Sequence, residues 1–176
     1  MLIGLISDTH IPDRVKVLPP KVFETFEDVD MILHAGDVTS QEVLDKLSEM
    51  APVISIQGNT DRMNGLELPK HEVVDANGLK IGITHGEVYP RGDSQQLAYI
   101  AKQMNVDILV SGHSHQPKIE QTEGVLLLNP GSPTVPRLAD RTVMLLNIDD
   151  EKNVDIELVK VGSPVCSSLD FSRFKK

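Results

Sequence analysis

The chain has a single cysteine, Cys166, and no tryptophan. One thiol cannot close an intrachain disulfide, so a disulfide scaffold is excluded, and the count fits a reducing compartment. Aromatic residues make up only 3% of the 176 positions, so the core has to be aliphatic. No apolar run reaches the roughly 18 residues that a membrane span requires. Met1 to Ile6 is apolar, but Asp8 interrupts it and no basic segment precedes it, so it lacks the plan of a secretory leader. The cytoplasm is the expected location. Basic residues are outnumbered: 17 Lys and Arg against 26 Asp and Glu leave a formal charge of −9. Such a surface disfavours stable binding to nucleic-acid backbones. It does not exclude a small phosphate ligand, because a bound metal ion supplies local positive charge that composition does not count. No Gly-rich loop ending in Lys-Ser or Lys-Thr occurs, which excludes a P-loop nucleotide site. Internal repeats and low-complexity segments are absent too.

What is present suits one soluble globular domain over residues 1–176, with 40% hydrophobic and 24% charged residues. Residues 163–176 read as a polar surface tail. Leu2 to Ser7, Met31 to His34 and Val53 to Ile56 are short continuous apolar runs, the signature of strands buried on both faces. Between them, Lys21 to Asp28 follows Pro20, and Ser40 to Glu49 carries Val43, Leu44 and Leu47 at helical spacing with Ser40 as N-cap. This βαβαβ order predicts a parallel sheet. Glu72 to Asp75 and Lys80 to Thr84 flank Asn77-Gly78, a hairpin signal. A helix is expected over Gln95 to Gln103, and strands over Asp107 to Ser111, Lys118 to Glu120, Val125 to Leu128, Thr142 to Ile148 and Val154 to Val159. The sum is a mixed α/β domain of two sheets with helices outside.

Polar residues recur where these strands end: Asp8 and His10, Asp37, Asn59 and Asp61, His85, and His113 and His115. In open α/β sheets ligands bind beyond the carboxyl ends of the strands. A His/Asp/Asn set without thiolate suits Mn²⁺, Fe, Ni²⁺ or Zn²⁺ rather than Ca²⁺ or a structural zinc finger. Asp8, His10, Asp37, Asn59, His85, His113 and His115 are too many ligands for one transition metal and suit two. Paired metals about 3.5–4 Å apart need a bridging carboxylate, and Asp37 is the natural candidate. The alternate spacing of Asp8 and His10, and of His113 and His115, lets extended backbone point both side chains one way. Taken singly, each Asp or His reads equally as a cap, a core residue or a turn residue. The joint occurrence at five strand ends carries the metal-site reading. His34 is a candidate to support a ligand from behind, and His71 reads as a surface residue.

On these residues the sequence resembles the calcineurin-like metallophosphoesterases. The family's blocks run D-x-H, G-D, G-N-x-D/E, H-G and G-H-x-H. Here they read Asp8-Thr9-His10, Gly36-Asp37, Gly58-Asn59-Thr60-Asp61, His85-Gly86 and Gly112-His113-Ser114-His115. The length and the Asn129-Pro130-Gly131-Ser132 turn are similar to the small prokaryotic phosphodiesterase branch. The resemblance implies a four-layer α-β-β-α sandwich of two mixed sheets. It implies that Asp8, His10, Asp37 and His115 hold one metal, and Asp37, Asn59, His85 and His113 the other. Many larger relatives carry His after the Asn of the third block. Thr60 stands there in this chain, which puts fast cleavage of poor leaving groups in doubt.

The expected activity is hydrolysis of a small phosphodiester by a metal-bridging hydroxide, with two divalent ions, Mn²⁺ foremost. In this reading Asp37 bridges and Asn59 both ligates and contacts the phosphate. Asp61 either orients a ligand or caps the following turn. Arg137, near the Asn129–Ser132 turn, is a phosphate clamp or, the favoured alternative, a surface ion pair. Phosphomonoesterase activity is a competing reading. A non-catalytic protein-binding scaffold, as in the retromer subunit of the same fold, is another, against which the complete ligand set counts. A homo-oligomer is compatible with the sequence.

Overall fold

A computed structural model describes residues 1–162, so the expected tail and Cys166 lie outside the described residues. The first half alternates strand and helix: β1 (Leu2–Ile6), α1 (Pro20–Thr25), β2 (Met31–His34), α2 (Gln41–Ser48), β3 (Val53–Ser55) and α3 (Asn59–Met63). The hairpin β4 (His71–Ala76) and β5 (Leu79–Thr84) follows, then α4 (Ser94–Met104) and β6 (Ile108–Val110). Two further antiparallel pairs complete it: β7 (Pro117–Thr122) with β8 (Val125–Pro130), and β9 (Arg141–Ile148) with β10 (Val154–Gly162). One sheet has the order β10-β9-β1-β2-β3 and the other β4-β5-β6-β8-β7.

Period-two patterning separates the layers. Ile3, Leu5, Leu33, Leu146 and Ile148 of the first sheet meet Ile81, Ile83, Ile108, Val110 and Leu128 of the second in a central aliphatic core. The alternate residues face outward. Ile6, Ile32 and Val143 pack under Val22, Val43, Leu44 and Leu47 of α1 and α2, and Leu109, Val125 and Leu127 under Leu97 and Ala101 of α4. The result is the expected four-layer α-β-β-α sandwich. Each fully buried Ile or Leu contributes about 1.5–3 kcal/mol relative to exposure, so an aliphatic core of this size needs no aromatic filler.

Local signals place most elements. Asn77 and Gly78 adopt φ of 50° and 78°, and Ala76 pairs with Leu79 across them, as a type I′ turn requires. Two details depart from expectation. Ser40 stands at the N-cap of α2 with extended backbone, but its hydroxyl makes no capping bond. The five-residue α3 was not foreseen; Asn59-Thr60-Asp61 reads as a plain turn in sequence, and its helical conformation rests on bonds to Asp61 and Asp37 described below.

Candidate metal centre

β1, β2 and β3 run parallel in the first sheet, and β5, β6 and β8 run parallel in the second. Their carboxyl ends therefore open on one edge of the sandwich. Backbone bonds tie the loops there together. The Asp8 N–H donates to Gly36 O at 3.0 Å, the His10 N–H to Asp37 O at 3.0 Å and the Gly112 N–H to His85 O at 3.1 Å. The two sheets are joined at this edge by the His113 N–H, which donates to both Asp8 carboxylate oxygens at 3.2 and 3.0 Å.

Asp8, His10, Asp37 and His115 are all buried and turn one donor atom each into a common volume, with those atoms within 4.8 Å of one another. His115 Nε2 lies 3.3 Å from Asp8 Oδ1, and His10 Nε2 lies 3.5 Å from Asp37 Oδ2. The His10 and His115 rings stack with their Nε2 atoms 3.4 Å apart. On the far side of Asp37, His85 Nε2 lies 3.4 Å from the same Oδ2 and 3.2 Å from Asn59 Oδ1. His113 closes this half edge-on against His85, with ring centroids 5.1 Å apart. Asp37 Oδ2 thus stands between two groups of donors.

The separations within the Asp8, His10, Asp37 and His115 cluster fit a bound cation. Two donors about 2.1 Å from one ion stand about 3.0–3.4 Å apart at octahedral or tetrahedral angles. The imidazoles are turned for the task. His85 Nδ1 lies 2.8 Å from Ala35 O, and His115 Nδ1 lies 2.7 Å from Val135 O. A carbonyl only accepts, so Nδ1 carries the proton in both rings and Nε2 is the ligating nitrogen of the neutral form. His85, held protonated by Asp37, makes an attractive contact within this set, and a cation bound here would have to replace its proton.

Burial and neighbouring charge shift the titrations in opposite directions. Desolvation lowers His10 and His113 to about 4 and His34 to about 3. Desolvation also works against a charged His85, but its bond to Asp37 and the Asp8 charge outweigh it and raise His85 to about 9. Burial pushes Asp37 up, but the His85 contact and the Thr60 donors overcome it and hold Asp37 well below the usual carboxylate range. Asp8, fully buried, is raised by desolvation.

The backbone around these ligands is strained. Asp8, His10, Asp37, Thr39, His113 and His115 all adopt positive φ, between 46° and 73°. Such conformations cost about 1–3 kcal/mol each for non-glycine residues and persist only where the surroundings enforce them. The enforcement is visible. Ser132 Oγ donates to Asp8 O at 2.8 Å, Thr134 Oγ1 donates to Thr9 O at 2.8 Å, and Ser7 Oγ donates to Gly131 O at 2.7 Å. Asn129 Nδ2 donates to Gly112 O at 2.8 Å and so fixes the loop that carries His113. Two glycines are required by close approach. A Cβ on Gly58 would overlap the Asp37 carboxylate and backbone, and one on Gly112 would meet Asp8 Oδ2 at 2.8 Å.

All seven candidate ligands lie at this edge, Asp8, His10, Asp37 and His115 in one cluster and Asn59, His85 and His113 beside it. Asp61 does not face the cleft. It is fully buried, and its Oδ2 accepts the N–H groups of Asp37 at 2.8 Å and Gly58 at 2.7 Å while Oδ1 accepts that of Thr39 at 2.7 Å. Of its two sequence readings, the cap is the one these bonds describe, and it extends to the loop that carries Asp37. Burial pushes the Asp61 carboxyl up, against the three N–H donors that favour its charged form. Arg137 is exposed, and its backbone N–H donates to His115 O at 3.2 Å, so its main chain holds a ligand loop. His34 is buried with Nε2 3.2 Å from Thr9 Oγ1, behind the Asp8–His10 loop, and His71 is exposed at the start of β4. Ser7, Thr39, Ser132 and Thr134 were missed as supports. Only the Asn129–Ser132 turn signalled any of them.

The chain belongs to the calcineurin-like phosphoesterase superfamily, whose domain model matches residues 1–151. It is 54% identical over 173 residues, covering 98% of this chain and all of the relative, to a protein of Methanothermobacter thermautotrophicus named "probable metallophosphoesterase". Among solved structures, wild-type Vps29 of Entamoeba histolytica in complex with Zn²⁺ has a TM-score of 0.75 at 32% identity, covering 92% of this chain and all of that one. A structure described as a novel archaeal phosphodiesterase has a TM-score of 0.68 at 26% identity, covering 90% of this chain and all of that one. The protein is therefore a metallophosphoesterase by family, with a buried His/Asp cluster of metal-binding composition. No helix among the described residues is long and apolar enough to cross a membrane.

Proposed function

We propose that the chain is a phosphodiesterase that hydrolyses a small phosphodiester with two divalent cations, Mn²⁺ first among them. The observation that carries this reading is the position of Asp37 Oδ2, 3.5 Å from His10 Nε2 and 3.4 Å from His85 Nε2, as a carboxylate shared by two cations would stand. Asp8, His10, Asp37 and His115 would hold one cation, and Asp37, Asn59, His85 and His113 the other. When bound, the cations supply Lewis-acid polarisation of phosphoryl oxygens and acidify a water molecule to near-neutral pKa.

The chain's own groups prepare the rest. Asn59 is exposed, turns Oδ1 to His85 and keeps its Nδ2 donors for a phosphoryl oxygen. Asp61 holds the loops of Asp37 and Asn59 in register. Thr60 brings no strong acid to the site, so diesters with good leaving groups should turn over fastest. The archaeal phosphodiesterase likeness supports the diester reading, and the Vps29 likeness supports protein binding on the same fold. The test is to strip the protein with a chelator, restore Mn²⁺ and compare an aryl phosphodiester with its monoester. Faster, metal-dependent turnover of the diester is expected. Turnover of the monoester alone would move the assignment to phosphatase, and turnover of neither would favour the binding role. Asp37→Ala should abolish activity and loosen metal in both halves. A variant with full activity and full metal content would overturn the assignment.

A further inference from the structure

A cavity of about 610 Å³ adjoins the Asn59–His85 half of the centre and is not used by the chemistry above. Asn59, His85, Arg62, Met63, Lys70 and His71 are among the residues that line it. The volume lies within the roughly 300–1,000 Å³ of small-molecule sites, so a phosphoryl group at the metal centre would fill only part of it. Glu87 also lines the space, against the two cations Arg62 and Lys70. The lining thus carries a local excess of one positive charge in a chain of net charge −9. Among the described residues neither Arg62 nor Lys70 pairs with a carboxylate, as holds for most of the chain's cations, so both charges are available to a ligand.

The cationic lining is also built, not draped. It belongs to the segment that crosses from the first sheet to the second. The Gln57 N–H donates to Pro69 O at 2.7 Å, the Gln57 side-chain amide donates to Leu66 O at 2.9 Å, and the Leu66 N–H donates to Asp61 O at 3.0 Å. Leu66 and Leu68 pack against the outer core of the first sheet. Arg62 and Lys70 therefore project from a pinned strap, and the cavity that they line has Asn59 and His85 in its lining as well.

We propose that this cavity is the subsite for a second phosphate on the substrate, so that the natural diester carries a phosphorylated half held by Arg62 and Lys70 while its scissile phosphate sits at the metal centre. The inference deepens the phosphodiesterase reading and rests on it for the word substrate. An exposed charge pair contributes up to about fivefold in affinity, so two such contacts give up to about 25-fold, and about tenfold is expected. The experiment is calorimetry on the full chain loaded with Mn²⁺. It compares alkane diphosphonates, from propane to hexane spacers, with the matching alkyl monophosphonates. Phosphonates are not cleaved, so binding is read independently of turnover. At the best spacer the diphosphonate should bind at least about tenfold more tightly, and the double variant Arg62→Gln/Lys70→Gln should cut that advantage below about threefold. Both side chains are exposed, so folding is not at risk. Equal affinity at every spacer, or an advantage that survives the double variant because both phosphonates sit on the metals, would overturn the subsite. Failure of the phosphodiesterase reading shows separately, as absent turnover of the aryl diester.

Discussion

Asp61→Asn separates a positioning role from a substrate-contacting one. The carboxylate is fully buried and accepts three backbone N–H groups, two at Oδ2 and one at Oδ1. The amide has nearly the same shape but a single acceptor oxygen. If that oxygen takes the Oδ2 place, the new NH₂ faces the Thr39 N–H, donor against donor. A buried donor left without an acceptor costs about 1–3 kcal/mol, and the two remaining bonds lose their charge assistance. A loss near 3 kcal/mol is expected, which for a domain of this size lowers Tm by about 6–12 °C. Because the released N–H belongs to Thr39 and the two weakened bonds hold Asp37 and Gly58, metal affinity should fall about 10–100-fold, the usual cost of losing a group that orients a ligand. Chemical denaturation of the metal-free protein and calorimetric titration with Mn²⁺ read the two effects. A variant with unchanged stability and unchanged metal affinity, but a raised KM, would refute the reasoning and return Asp61 to the substrate.

Gly58→Ala places a methyl group on the Asp37 carboxylate, so metal content measured after dialysis should drop sharply while the core, and hence far-ultraviolet circular dichroism, persists. Arg137→Ala should leave Mn²⁺ affinity unchanged, because only the backbone N–H of Arg137 touches His115; a tenfold loss in the same titration would show that its guanidinium matters. In the metal-free protein His10, His34 and His113 titrate below their unfolded value of 6.5, at about 4, 3 and 4, so their stabilising contribution is lost as pH falls through that range. His85, raised to about 9, contributes fully below pH 6.5 and loses that contribution as pH rises toward 9. Stability should therefore peak near neutrality, with a limiting slope of about 1.4 kcal/mol per pH unit for each proton involved. Denaturation curves in chelator across pH check this, and a flat profile from pH 4 to 9 would contradict these shifts.

The parts of the fold legible in the sequence are those governed by short-range rules. Apolar runs such as Leu2–Ile6 and Met31–His34 can be buried only as central strands, and Asn77-Gly78 can turn a hairpin without strain. The ligands were legible because His and Asp recur at strand ends, where a parallel sheet leaves its loops. The supports were not. Ser132 and Thr134 lie more than 120 residues from the Asp8–Thr9 carbonyls that they hold, and hydroxyls at such separation carry no local pattern. Asp61 was ambiguous for a related reason. A carboxylate three residues into a turn reads as a cap, and its reach back to Asp37 and Thr39 follows from the position of α3 against the loop after β2.

Strain explains why these supports are needed at all. Six ligand-loop residues with side chains hold left-handed backbone, and several ring nitrogens and carboxylate oxygens face one another within 3.5 Å. The strain opposes folding, whereas the His85–Asp37 contact, with the imidazole charged, favours it. The strain is tolerated because the three aliphatic clusters over-determine the strand ends, and because every ligand loop is tied by at least one backbone or hydroxyl bond to its neighbour. These ties hold the ligand side chains in the arrangement that cations would need. A cation bound there would compete with the proton that His85 holds to about 9, so metal affinity should fall as pH drops below that value, and binding should add to stability.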